Sequence, residues 1–239
     1  MSTSRETMLC EFPEDVAVAA AALIHEAQTQ AIKARGVFRI ALSGGNTPRL
    51  LFDRLAREWL DNMKWEKREV YWTDERSVPS TDEHSNYKLA KDHLLSHVAV
   101  KNSFRIPAEA NDLHAVVVAY SSTLKKQFAS DNPVFDVILL GIGSDGHVAS
   151  LFPGSPLLES GSLLAVAESD SHAQKRVTFT LRTINKARLI LFLVAGERKA
   201  DAVREVLVKG NYALPAARID SPYGRVVWII DKAASSKIT

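Results

Sequence analysis

The chain has 239 residues, a formal net charge of +2, a single cysteine, and 46% apolar against 24% charged residues. That length can bury a substantial core, and the composition is that of an ordinary globular protein. So balanced a charge gives no polyelectrolyte signal for nucleic acid or an acidic membrane surface, and Cys10 alone excludes an internal disulfide and a cysteine-rich metal site.

After a polar start, Pro13, Glu14 and Asp15 stand where a helix N-terminus favours them. Val16, Ala20, Leu23, Ala27 and Ala31 then recur at helical spacing until Gly36. The apolar run from Val16 to Ile24 is too short to span a bilayer, and the acids before it have the wrong sign for a secretory leader. The last residues, Lys237-Ile238-Thr239, are not a Ser-Lys-Leu address. A cytoplasmic protein without membrane partners, monomeric or weakly homo-oligomeric, is expected.

Val37–Leu42 reads as a strand and feeds Ser43-Gly44-Gly45-Asn46-Thr47-Pro48, after which Leu50, Leu51, Leu55 and Trp59 carry a helix. Strand, glycine loop and helix together offer backbone N–H groups and a positive dipole end to an anion. The loop lacks both the Gly-Lys-Ser/Thr ending of a nucleotide P-loop and the Gly-x-Gly-x-x-Gly dinucleotide spacing. A phosphate monoester on a small molecule therefore suits it better, with a plain glycine turn as the blander alternative.

Glu69–Thr73 is the next strand, and Asp74-Glu75-Arg76 form a charged lip at its end. A polar stretch from Pro79 to Ser85 leads to a helix through Tyr87, Leu89, Leu94 and Leu95. Ser103–Ile106 is a short strand candidate, and a helix is expected from about Glu109 to Phe128.

Val137–Leu140 is apolar and β-branched enough for a strand buried on both faces. Beyond it, Gly141, Gly143 and Gly146 punctuate a turn carrying Ser144, Asp145 and His147. Ligands of open α/β sheets bind beyond the carboxyl ends of strands, so this turn is a candidate site. The alternative is a tight Asp-Gly turn with His147 starting a helix into Val148–Leu151.

Leu163–Ala167 and Val177–Leu181 read as strands, the second with the alternation of a half-exposed or antiparallel member and with Arg176 at its head. Arg188–Val194 is another buried strand, after which Glu197-Arg198-Lys199 opens a helix through Ala202, Val203, Val206 and Leu207. Arg225–Ile230 is the last strand. Strands alternating with helices, without a dividing linker, predict a single three-layer α/β/α domain over residues 1–239 with a mostly parallel, Rossmann-like sheet.

An imidazole, with an ordinary pKa near ~6.5, can take a proton from water at neutral pH. Asp145, two residues away, or Glu75 can orient the ring of His147. Histidines and acids are scattered along the chain, and no metal site is read from them. Ser43 and Ser144 lie in glycine loops without the Gly-x-Ser-x-Gly setting of a nucleophile elbow. Water activated by His147 is the simpler mechanism.

Five pieces in order resemble the 6-phosphogluconolactonase family: Leu42–Pro48; Asp74-Glu-Arg-Ser-Val-Pro79 with Ser85-Asn-Tyr87; Gly141–Gly154; Arg176-Val-Thr; and Gly196-Glu-Arg-Lys-Ala200. The resemblance spans essentially the whole chain. It implies the sugar-phosphate isomerase/deaminase fold, no metal or organic cofactor, and hydrolysis of 6-phosphoglucono-1,5-lactone. It also implies roles. His147 is the general base, Asp145 its support, and Arg76 the cation beside the lactone carbonyl. Gly44, Gly45, Asn46 and Thr47, with Arg176 and Lys199, hold the phosphate; Ser43, Asp74, Glu75 and Gly143 complete the binding set. One departure, Leu181-Arg182 where the family often has Leu-Pro, leaves Arg182 as a further phosphate contact.

Two other functions stay open on the same residues. A glucosamine-6-phosphate deaminase reads Asp-Glu-Tyr at the triplet and continues the histidine turn into Asn-Glu-Pro. This chain has Asp-Glu-Arg and Ser150-Leu-Phe-Pro153, and a cation suits charge on a carbonyl oxygen better than transfer of a C2 proton. A non-catalytic sugar-phosphate sensor would keep the glycine loop and need no His147, but no helix-turn-helix segment or basic helix accompanies it.

Overall fold

The computed structural model describes residues 5–169 and 172–238. Seven strands form a parallel sheet: β1 (Arg5–Cys10), β2 (Phe38–Leu42), β3 (Arg68–Trp72), β5 (Asn102–Ser103), β6 (Val137–Leu140), β9 (Leu189–Val194) and β10 (Arg225–Asp231). Their spatial order is β1-β10-β9-β6-β2-β3-β5, and every adjacent pair runs parallel. β3, β6 and β9 are buried along their whole length, as the continuous apolar runs of the last two require of strands covered on both faces.

A second sheet was not expected. β4 (Asp74–Arg76), β7 (Leu164–Ser169) and β8 (His172–Phe179) form an antiparallel group in the order β4-β8-β7. The triplet Asp74-Glu75-Arg76 is thus no solvated lip. It is a strand, paired Asp74↔Thr178, Glu75↔Val177 and Arg76↔Arg176, with both carboxylates buried. Arg176 lies inside β8 rather than at its head, and Leu181 leaves the strand for a short helix, α5 (Leu181–Ile184).

Helices fall close to expectation where caps are strong. α1 (Pro13–Arg35) starts with the Asp15 carboxylate accepting the Phe12 N–H at 3.0 Å. It ends at Gly36, whose φ of 73° needs a residue without a Cβ penalty. α2 (Asn46–Glu58) follows the glycine loop and packs against α1. α3 (Asn86–Ala90) is short and runs on into a π-helical turn, Lys91–Leu95. α4 (Leu113–Phe128) begins later than the spacing suggests, because the Asp112 side chain accepts the Ala115 N–H at 3.0 Å and caps it there. α6 (Ala200–Leu207) follows a 3-10 turn at Glu197–Lys199.

β1 also falls outside the sequence reading. Most of its residues are exposed, and it is a strand only because it adds to the edge of β10, Arg5 opposite Val226 through Cys10 opposite Asp231. Among the described residues no helix is long and apolar enough to cross a membrane.

Candidate active site

The sheet order reverses between β2 and β6. From β2 the chain moves outward to β3 and β5; from β6 it moves the other way to β9 and β10. Connections leaving opposite sides open a crevice beyond the carboxyl ends of these two strands. The Ser43–Thr47 loop follows β2, and the Gly141–His147 turn follows β6. A cleft of about 440 Å³ lies there, lined by both segments, by Asp74 and Arg76 of β4, by Arg176 of β8 and by Gly196–Lys199 after β9.

The histidine turn is built for one ring position. His147 Nδ1 lies 2.7 Å from Asp145 Oδ1, and the same oxygen accepts the His147 backbone N–H at 3.2 Å. Gly143 donates its N–H to the His147 carbonyl at 2.9 Å. A Cβ at Gly143 would sit 2.1 Å from His147 Nδ1 and 2.3 Å from Asp145 Oδ1, so the pair rests directly on that glycine's backbone. Gly146 takes a φ of 84°, and Leu214 closes over it while the Ala216 N–H donates to its carbonyl at 3.1 Å. Phe152 lies against the imidazole with ring centroids 5.1 Å apart. No helix starts at His147; residues 148–151 make a tight turn closed by a Val148–Leu151 bridge, with Ala149 at a φ of 49°.

Asp145 and not Glu75 is the partner of the ring. Partial burial opposes ionisation of Asp145, but the His147 ring and backbone hold its carboxyl below the ordinary value. An ionised Asp145 accepts a hydrogen bond from Nδ1–H of His147 and so leaves the basic lone pair on Nε2.

The cleft carries more positive than negative groups. Arg76, Arg176, Arg198 and Lys199 line it against Asp74 and Glu197. Arg76 and Arg176 are cross-strand neighbours, and the Nε of each is buried without a hydrogen-bond partner among the described residues. A buried guanidinium nitrogen left unmatched is costly unless a ligand completes it. Burial first, then Arg76, draws the Arg176 pKa down, with Asp74 opposing. Burial and Arg198 likewise lower Lys199. An anion between these groups would reverse both shifts. On the loop side, Gly45 precedes the first turn of α2 with a φ of 108°, and the first N–H groups of that 13-residue helix have no intrahelical acceptor.

Most of the sequence-derived set meets at this cleft: Ser43, Gly44, Gly45, Asn46, Thr47, Asp74, Arg76, Gly143, His147, Arg176 and Lys199 all line it, with Asp145 behind His147. Two do not. Glu75 is buried with its carboxylate occupied by the N–H groups of Arg76, Asn86 and Tyr87 and the hydroxyl of Ser85. Arg182 sits elsewhere, donating to the Gly161 carbonyl and to Asn132. Asn86, Ala149 and Arg198 line the cleft without having been singled out. All three stood inside the quoted motifs with no role, and nothing in the sequence marks Ala149 for a left-handed backbone. His93 and His97 have the spacing of a helical metal-ligand pair, but these rings reach Asp53 and the Asp92 carbonyl. No group of three or more metal-ligating side chains gathers among the described residues.

An open parallel sheet with a glycine loop and an imidazole–carboxylate pair at its switch point has the build of a small-molecule α/β enzyme. Residues 11–228 match the family model of glucosamine-6-phosphate isomerases/6-phosphogluconolactonase. A 6-phosphogluconolactonase of Synechocystis is 40% identical over 217 residues, covering 88% of each chain. The structure of 6-phosphogluconolactonase from Trypanosoma brucei superposes over the full length of both chains with a TM-score of 0.85 at 28% identity. A monomeric glucosamine-6-phosphate deaminase gives 0.79 at 25% identity, over 97% of this chain and 99% of its own. The chain belongs to this family and is an enzyme of the 6-phosphogluconolactonase type.

Proposed function

We propose that the chain hydrolyses 6-phospho-D-glucono-1,5-lactone to 6-phospho-D-gluconate, the second step of the oxidative pentose phosphate pathway, with residues 1–239 acting as one domain. The observation that carries this reading is the 2.7 Å contact between His147 Nδ1 and Asp145 in the same cleft as the glycine loop. The loop from Ser43 to Thr47, Arg176 and Lys199 grip the phosphate. His147 Nε2 takes a proton from water as its oxygen attacks C1, and Asp145 stabilises the imidazolium. Arg76 faces the negative charge that builds on the carbonyl oxygen, where a fixed cation acts most strongly. The tetrahedral intermediate collapses by breaking the bond from C1 to the ring oxygen, which leaves with the proton carried by His147.

The deaminase reading is disfavoured at two points. The cation Arg76 occupies the triplet, and Ser150 after the histidine turn gives its hydroxyl to Asp74 at 2.7 Å, so no carboxylate follows His147 into the cleft. A sensor has no use for a glycine at 143 that exists to admit the His147–Asp145 pair. Replacing His147 by Asn should lower turnover roughly 10²–10⁴-fold with the fold intact, after subtraction of spontaneous lactone opening. A folded variant with wild-type turnover would rule the assignment out.

A further inference from the structure

We infer that Asn86, held by Glu75, is a positioning residue that fixes the glycine loop in its anion-binding shape; the inference rests on the reading of that loop as the phosphate site. Asn86 is buried and tied on several sides. Its backbone N–H donates to Glu75 Oε1 at 2.8 Å, and its carbonyl accepts the Trp72 indole N–H at 3.3 Å. Its side-chain Nδ2 donates to the Asp74 carbonyl at 2.9 Å and approaches Asp74 Oδ1 at 3.3 Å. What remains of the side chain, Oδ1, lies against the loop. A Cβ placed on Gly44 would come within 1.8 Å of it.

Glu75 gives this contact its rigidity. One oxygen accepts the N–H groups of Arg76 and Asn86, each at 2.8 Å; the other accepts the Tyr87 N–H at 2.8 Å and the Ser85 hydroxyl at 3.1 Å. Four donors fill the acceptor positions of one carboxylate, so its lone pairs are spoken for and it does not reach the cleft. Glu75 therefore joins the backbone of Arg76, on one wall, to Asn86, which supports the loop on another. Two segments ten residues apart, one the end of β4 and the other the start of α3, are thereby held in one geometry. Placement of this kind matters because small displacements of binding groups are expensive in rate and affinity.

The steric arrangement at Gly44 supplies a specific test. Gly44 is not among the glycines with positive φ, so its backbone accepts an alanine and only Asn86 stands in the way. Inorganic phosphate binding to the full chain, measured by calorimetry, reads the loop without depending on lactone turnover. Asn86→Ala should weaken phosphate binding about tenfold, because it removes both the tether to Asp74 and the packing against Gly44. Glu75→Gln should do the same, because its amide N–H groups would face donors. In lactone assays KM should rise more than kcat falls.

Gly44→Ala alone should weaken phosphate binding, yet Gly44→Ala with Asn86→Ala should bind no worse than Asn86→Ala by itself. That non-additivity requires direct contact between the two positions. A merely structural Asn86 would lower thermal stability and leave the phosphate affinity of the folded variant at the wild-type value, and that result would overturn the inference. Equal, additive losses in the double variant would also overturn it. Wild-type protein that binds no phosphate at all would instead overturn the reading of the loop.

Discussion

The two edges of the parallel sheet carry similar residues and treat them differently. At the amino edge, Arg35 pairs with Asp136, Arg39 with Glu69 at 2.8 Å, and Arg225 with Glu6 at 2.8 Å. A cavity of about 310 Å³ opens there too, lined by Arg35, Arg188 and Arg225. Its cations, however, already have carboxylates, and Asp136 also accepts the Arg39 N–H at 2.8 Å. At the carboxyl edge, Arg76 and Arg176 are cross-strand neighbours whose Nε atoms are unmatched among the described residues. Asp74 comes no nearer to Arg176 than 4.0 Å, the Arg76 guanidinium is bound among those residues only to the His84 carbonyl, and Lys199 stands beside Arg198. Charges that complete one another hold a fold together; charges that wait for a partner mark where a ligand goes.

Exchanging a group at each edge separates these roles. Arg176→Met at the carboxyl edge should weaken phosphate binding tenfold or more, the weight of a charge-assisted contact. Thermal stability should fall only slightly, since Arg176 stands 4.0 Å from Asp74 and that carboxylate keeps the Ser150 hydroxyl at 2.7 Å. A large fall in melting temperature would make Arg176 a structural group. Asp136→Ala at the amino edge should do the reverse. It leaves Arg35 and the Arg39 N–H without an acceptor, costing roughly 2 kcal/mol and several degrees in Tm, while KM stays put. A raised KM in the folded variant would erase the distinction between the edges.

Lys199 sharpens the comparison through pH. Its folded pKa lies below the ordinary 10.5 because the charged form is disfavoured by burial and by Arg198. Phosphate favours that charged form, so binding should take up a proton at alkaline pH and weaken once the pH passes the lowered pKa of the free protein. Titrating phosphate affinity against pH checks this. Lys199→Ala should remove that alkaline break along with part of the affinity, and a break persisting in the variant would exclude Lys199. The smallest effect belongs to Ala149, held at a φ of 49° on the cleft wall. Ala149→Gly should relieve about 1 kcal/mol of backbone strain and raise Tm slightly.

What could be read in the sequence follows the same division. β2, β6, β9 and β10 showed as apolar runs because strands buried on both faces leave no choice of residue. The glycine loop and the Asp-Gly-His turn showed because backbone curvature and ligand access restrict what fits. β1 did not show: its residues are mostly exposed, and its conformation comes from pairing with β10, not from its own pattern. The alternation from Val177 announced a half-exposed or antiparallel strand, and β8 is antiparallel, but its partner β4 was hidden for a related reason. Charged residues at a strand end normally mean solvent, and only the donors converging from residues 85–87 make it possible to bury Glu75. Its raised pKa, driven by burial, records that cost.

Gly143 carries a consequence for how such proteins diversify. Its φ is not among the positive ones, so the backbone tolerates alanine there, yet one methyl group would occupy the space of the imidazole and its carboxylate. The glycine loop stands on another strand and would not feel the change. On the proposed reading, a single carbon atom at this position would separate a catalyst from a receptor for the same sugar phosphate.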